Sequence, residues 1–423
     1  MRITLLCKVV DNYGDIGFVY RLSRSLSERN PSLEITLVVS NLESFSTMAP
    51  GIKNAPVQKF YGWDILDWNA ENDCRIFFKK NPPTVILECF QCGRPGWLDE
   101  ILFDKGRTQT VQIVNVEYLT AEKWADDFHL LKSGTRSSLV KKINFMPGFT
   151  KKTGGLVLDN DFMESLSDRK SAIKKLISCV EKKNGGGLSK QIAEMLGNGE
   201  EKKFFNVTVF AYEKNLDAMV LALKEFQTLQ KKSNPDFELN VFAPPGLSFE
   251  CFEKSWKKFD CPFSMVPLPY LSQTAWDALL VLCDFNFVRG EDSFSRACLS
   301  GKPFIWNAYR QDEEFQLVKV RAFVDLIEPY FIEENRQKEF EDYRDAMMVY
   351  NKSPDAEPCP DAFDATRGCD MDKDEGKAIL HVLKNFSRQR KTFQTFSKSL
   401  ISNGNLTENL EHLVFGSDQR LGS

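Results

Sequence analysis

Histidine is nearly missing from this chain of 423 residues. There are three, His129, His381 and His412, and none accompanies a serine or cysteine in a G-x-S-x-G turn. Histidine-based hydrolysis is therefore disfavoured. Missing too is a basic excess: 55 Lys and Arg stand against 59 Asp and Glu, a formal charge of −4, so the surplus that neutralises nucleic-acid phosphates is not there. Nucleic acid is not expected as a partner. No apolar run approaches the roughly 18 residues of a membrane helix, so no membrane partner is expected. The opening MRITLLCKVV enters a strand-like run with no small-residue cleavage site, which reads as a cytoplasmic protein without a signal peptide.

Paired metal-ligand motifs are also missing. The eleven cysteines are odd in number and scattered, as in a reducing compartment, and Cys89-x-x-Cys92 has no second pair to complete a zinc site. Asp370, Asp372 and Asp374 begin like a calcium loop, but Glu375 stands where the turn glycine belongs and His381 where the bidentate glutamate belongs. No metal and no cofactor are expected.

What is present is alternation. RITLLCKVV, LEITLVV (33–39), TVILECF (84–90) and TVQIVNV (110–116) read as strands separated by helix-length segments; FFNVTVF, FELNVFA, FSMVPLPY, DFNFVR and KPFIW repeat the pattern after residue 204. Two α/β domains with mostly parallel sheets follow, with a ligand cleft expected between them at the carboxyl ends of the strands. The boundaries read as 1–155 for the first domain, 156–203 for a variable, glycine- and lysine-rich linker region holding a helix or two and a mobile crossing, 204–390 for the second domain and 391–423 for a helical tail. Long helices near 312–331 and 376–414 are expected to clamp the domains, and the proline- and acid-rich 352–372 to form a surface insertion.

Two segments carry chemistry. FVRGEDSFSRACLSGKPFIW (287–306) is a strand, a glycine turn and a helix starting at Ser293, and such a helix end offers unpaired N–H groups and a positive dipole to a diphosphate. Arg289 adds a fixed charge there; Glu291 and Asp292 suit hydroxyls or a developing cation. An ordinary capped helix would account for Ser293 and Gly301 but not for these three. DNYGDIG (11–17), in the first β-to-α turn, lacks the G-x-G-x-x-G of dinucleotide sites and instead sets Asp11 and Asp15 around Gly14 and Gly17. A turn and a helix cap would use the same two aspartates. Aromatics gather ahead of the first seat: Phe210, Tyr212, Tyr270, Trp276 and Tyr309, with Gln273 placed to read the edge of a stacked base.

In this order and spacing DNYGDIGFVYRL, NVEYLTAEKW, FMPGFTKKTGGL, VFAYE, PYLSQTAWD and FVRGEDSFSRACLSGKPFIW resemble the protein-arginine rhamnosyltransferases of elongation factor P, from residue 1 to about 330. The resemblance implies a GT-B glycosyltransferase fold, two Rossmann-like domains facing each other across a cleft. It also implies dTDP-β-L-rhamnose as donor and an arginine of elongation factor P as acceptor, glycosylated with inversion, the modified factor then rescuing ribosomes stalled at polyproline. The family's acidic residues fall on Asp11, Asp15 and Glu291. Its substrate contacts fall on Phe210, Tyr212, Tyr270, Gln273, Trp276, Arg289, Asp292, Ser293 and Tyr309, with Asn12, Tyr13, Gly14 and Gly17 of the acidic loop counted beside them. Tyr270 and Trp276 stand where phenylalanine is expected. The alternatives are a non-catalytic nucleotide-sugar-binding protein, which gives Asp11 and Asp15 no task, and a GT-B transferase with another acceptor.

Overall fold

The computed structural model describes residues 2–10, 13–197, 204–353 and 356–416. The chain divides into two compact units, Met1–Asp159 with Leu400–Ser423, and Asn160–Ser399.

The first unit is built on an eight-stranded sheet. Its strands are β1 (Arg2–Cys7), β2 (Glu34–Val39), β3 (Val57–Phe60), β4 (Trp63–Asp67), β5 (Val85–Cys89), β6 (Val111–Val116), β7 (Lys132–Ser133) and β8 (Val140–Phe145). They lie in the order β3-β4-β2-β1-β5-β6-β8-β7, parallel except at the two edges, where β3 and β7 run antiparallel to their neighbours. Successive side chains point to opposite faces, and both faces are apolar. Ile3, Leu5 and Cys7 share one core with Ile16, Val19 and Leu22 of the helix Gly14–Arg29. Leu6, Ile86 and Ile113 share the other with Phe78, Trp97 and Leu98. Burial on both sides explains why these strands read as continuous hydrophobic runs. β3, β4, β7 and β8 were not among the strands expected from sequence.

The second unit holds a five-stranded, all-parallel sheet. β9 (Phe204–Val209), β10 (Glu238–Ala243), β11 (Ser264–Pro267), β12 (Phe285–Arg289) and β13 (Phe304–Asn307) lie in the order β11-β10-β9-β12-β13.

The stretch expected to hold a helix or two and a mobile crossing has three helices among its described residues: Asn160–Ser167, Arg169–Asn184 and Gly186–Leu196. Ala172, Leu176 and Val180 recur every four residues among the lysines and are fully buried against Ala275, Ala278 and Leu279 of the helix Gln273–Leu282. Gly185, at φ 76°, breaks the helix between two packed segments. The tail also differs from a single long helix. It comprises Glu375–Lys384, Phe386–Ser402 and Leu406–Phe415, interrupted at Asn385 and at Gly404 with φ 107°. Its last helix belongs to the first unit, where Leu406 and Leu410 enter the core, Thr407 hydrogen-bonds Ser25 at 2.9 Å and Glu411 accepts from Arg29 at 2.8 Å. Phe393, on the preceding helix, packs on Phe304 of the second unit.

All eleven cysteines are free thiols. Burial pushes Cys89 well above the ordinary range and Cys92 up to about 11, so this pair is poorly suited to redox chemistry. Asp374, the last of the calcium-like aspartates, caps the helix Glu375–Lys384 by accepting from the Lys377 amide at 2.8 Å. Among the described residues no helix is long and apolar enough to cross a membrane.

Candidate functional site

In the second unit the site begins at the carboxyl end of β12. Arg289 is its last residue, and Gly290 follows at φ 66°, a backbone setting that glycine adopts without strain. The chain then enters the helix Glu291–Ser300, two residues earlier than expected. Glu291 and Asp292 thus occupy the first turn, beside the positive end of the helix dipole, and Ser293 is not the cap. Ser293 is buried instead, its Oγ accepting from the Trp276 indole N–H at 3.1 Å.

The Arg289 guanidinium carbon lies 4.5 Å from the Phe210 ring centroid and 4.6 Å from that of Tyr212. Cation–π contact with two rings fixes a charged side chain that would otherwise sample many rotamers. Its Nε is buried with no hydrogen-bond partner among the described residues, a cost that an anionic ligand would remove. Phe210 is held edge-on by Trp276, centroids 5.1 Å apart, and Tyr212 meets the exposed Tyr309 edge-on at 5.4 Å. Phe210, Tyr212, Trp276, Arg289, Ser293 and Tyr309 therefore form one connected cluster. Gln273 opens the helix Gln273–Leu282 behind its Ser272 cap, and Tyr270 is exposed in the loop before it.

One residue holding this cluster escaped the sequence reading. Asn351, the last residue of the helix Gln337–Asn351, is buried and brackets the end of β13: its Nδ2 donates to the Trp306 carbonyl and its Oδ1 accepts from the Ala308 amide, both at 2.8 Å. Asn307, held between them, accepts the Tyr212 amide at 2.9 Å. Lys214, two residues after Tyr212, donates to the Tyr350 carbonyl at 2.8 Å and pairs with Glu375 at 3.4 Å. Burial lowers the Lys214 pKa and raises that of Glu375.

In the first unit, Asp11 and Asn12 lie outside the described residues. Asp15 is in the first turn of the helix Gly14–Arg29 and 2% exposed, yet its carboxylate faces back to the loop: Oδ2 accepts from the Val10 amide at 2.8 Å and Oδ1 from the Tyr118 hydroxyl at 3.3 Å. Tyr13 precedes that helix, partly exposed, and Gly17 continues it through a 2.9 Å bond to the Tyr13 carbonyl. The Tyr118 ring stacks on Phe90, centroids 4.4 Å apart. Phe90 and Gln91 both have positive φ, 60° and 49°. Each costs about 1 to 3 kcal/mol, strain that concentrates at working sites. Gln91 thereby reaches the buried Glu117, whose Oε1 also accepts from Asn115, each contact 2.5 Å. Glu117 lies within NVEYLTAEKW but was not singled out, because its partner in the Phe90–Gln91 turn is remote in sequence.

Residues 3–415 match the family described as "Elongation-Factor P (EF-P) rhamnosyltransferase EarP". This chain belongs to that family. It is 33% identical to a protein-arginine rhamnosyltransferase of Shewanella oneidensis over 345 residues, with 76% of this chain and 80% of the relative covered. The corresponding enzyme of Pseudomonas putida is 32% identical with the same coverage of both chains. Among solved structures, one described as the structural basis for EarP-mediated arginine glycosylation of EF-P superposes with a TM-score of 0.51 at 19% identity, covering 98% of this chain and 99% of that one. A UDP-GlcNAc 2-epimerase from Neisseria meningitidis reaches 0.50 at 11% identity, covering 97% and 98%. The fold is GT-B, and as a member of the EarP family the chain is a protein-arginine rhamnosyltransferase.

Proposed function

We propose that this enzyme moves L-rhamnose from dTDP-β-L-rhamnose to a guanidino nitrogen of one arginine of elongation factor P, with inversion, in the cytoplasm. The observation that carries the donor side is Arg289, gripped by Phe210 and Tyr212, at the amino end of the helix Glu291–Ser300. The dipole and the guanidinium would meet the charge that builds on the departing diphosphate, and the neighbouring rings would take the thymine. This chemistry assigns no step to a metal.

The acceptor sets the harder problem. A guanidinium has a pKa near 12 to 13.8, so releasing the neutral nucleophile beforehand at pH 7 would cost roughly 7 to 9 kcal/mol. A carboxylate that orients the planar group and takes the proton as the bond forms avoids that cost. We assign this work to Asp15 together with Asp11. A protein that only bound the nucleotide sugar would have no use for Asp15 buried and aimed by the Val10 amide and Tyr118.

Incubating elongation factor P with the enzyme and dTDP-rhamnose and measuring intact mass tests this reading. One added deoxyhexose per factor is expected, and an unchanged mass would remove the proposed acceptor or donor. The assignment of Glu291 has its own test. At the first turn a carboxylate contributes only about 0.3 to 1 kcal/mol through the dipole, whereas one contacting sugar hydroxyls acts mainly as C1 gains positive charge. Glu291→Gln is expected to lower kcat more than about tenfold with dTDP affinity nearly unchanged. Normal kcat with a small melting shift would leave Glu291 a helix-start residue.

A further inference from the structure

In the first unit β5, β6 and β8 lie side by side, and the next-to-last residue of each is polar: Glu88, Asn115 and Asn144. They are in register, Glu88 opposite Asn115 and Asn115 opposite Asn144, so they form a row across three strands of one face. Nearer the strands' beginnings that face carries Ile86, Ile113 and Val140, packed in an apolar core. A polar row at the carboxyl ends of three neighbouring strands calls for an explanation, and the row lines a cavity of about 630 Å³. Gln91, Arg94 and Lys142 complete that part of its wall.

Asp99 on the same wall accepts from Arg94 Nε at 2.6 Å and lies 3.8 Å from Arg136, so the charges of the cavity are paired, but its acceptor atoms are not all used. Arg94 at 2.8 Å and Lys142 at 3.1 Å both bind Oε2 of Glu88, and no donor among the described residues reaches its Oε1. Asn115, 3% exposed, has its Oδ1 buried with no partner. Oε1 of Glu88 and the buried, unpartnered Oδ1 of Asn115 therefore stand open beside the cations Arg94, Arg136 and Lys142.

We infer that this cavity seats the polypeptide flanking the acceptor arginine, an inference that rests on the proposed acceptor. Open acceptors beside cations complement a peptide, which brings N–H donors, carbonyls and charged side chains together. A nucleobase or an apolar ligand would need a lining of aromatic or aliphatic groups, and Phe103 and Ile113 are the only apolar members of this wall. The position agrees with the occupant. Ligands of open parallel sheets bind outside the carboxyl ends of the strands, and the cavity is tied to Asp15 by contacts: Gln91 adjoins Phe90, which stacks on Tyr118, which donates to Asp15. Seating the flanking peptide would thus place its arginine at a fixed distance from the carboxylate.

Gly134 provides the test, because it lines the cavity and a Cβ built there meets nothing within 4 Å. Gly134→Trp is expected to raise KM for elongation factor P at least tenfold and to weaken its binding in calorimetry, with dTDP affinity, melting temperature and kcat at saturating factor unchanged. Asn115→Leu, which keeps side-chain size and removes the amide, is expected to raise the same KM at least fivefold. If wild type adds rhamnose and both variants keep KM within twofold, the cavity inference falls alone; a lowered melting temperature or kcat with normal KM overturns it as well. If Gly134→Trp does not fold, Asn115→Leu decides. A wild-type enzyme that neither binds nor modifies elongation factor P overturns this inference and the acceptor proposal together.

Discussion

Asp15→Asn is expected to leave donor binding intact and to lower kcat by about 10² to 10⁴, the range associated with a lost general base. The carboxylate is 2% exposed and held by the Val10 amide and the Tyr118 hydroxyl, so its orientation is fixed before any substrate arrives. An amide of the same shape can still accept from one of these donors, but it cannot take a proton from a guanidinium. Its Nδ2 would also confront the donor on the other side, at about 1 to 3 kcal/mol of stability. Transfer rate, dTDP calorimetry and a melting curve on one preparation separate the two effects. Near-normal turnover would remove Asp15 from the chemistry, and a dTDP affinity that fell in parallel would indicate damage beyond the acceptor side. Tyr118→Phe, which deletes a donor to Asp15, is expected to give a smaller loss in the same direction.

Arg289→Ala is expected to weaken dTDP binding by roughly 1 to 3 kcal/mol, a factor of about five to 150, because a charge-assisted contact to the diphosphate is lost. The loss should exceed that of a simple charge deletion, since the guanidinium also spaces Phe210 and Tyr212, the rings on which its own position depends. Arg289→Lys discriminates. It keeps the charge and abandons the planar group that stacks on both rings, so affinity intermediate between wild type and Arg289→Ala is expected. Unchanged calorimetric affinity in both variants would move the nucleotide elsewhere.

The contrast between these two sites shows which parts of the chemistry a sequence displays. DNYGDIG and FVRGEDS are short and contiguous, each filling one strand-to-helix turn, and a turn's residues share a place in space because they share one in the chain. Even there a detail needed the structure. Gly290 at φ 66° moves the helix start from Ser293 to Glu291, which transfers Ser293 from a cap to a buried partner of Trp276. The packing of 156–203 was hidden for a related reason. Glycine and lysine dominate the composition of 156–203, while Ala172, Leu176 and Val180, three small apolar residues a turn apart, decide its packing.

Sequence alone determined the α/β alternation, the two acidic and basic turns and, through six ordered motifs, the family. Apolar runs of strand length, glycine turns and helix caps act within a few residues, so the linear text carries them. Tertiary structure alone decided what supports those turns. The Gln91–Glu117 bond joins residues 26 apart and the Asn351–Trp306 bond residues 45 apart, and neither partner is remarkable in its own neighbourhood. The row Glu88, Asn115 and Asn144 exists only because β5, β6 and β8 pair in one register. A parallel sheet brings strands together through crossovers of tens of residues, and the polar groups it aligns depend on which residues become opposite neighbours, a relation that no local pattern encodes.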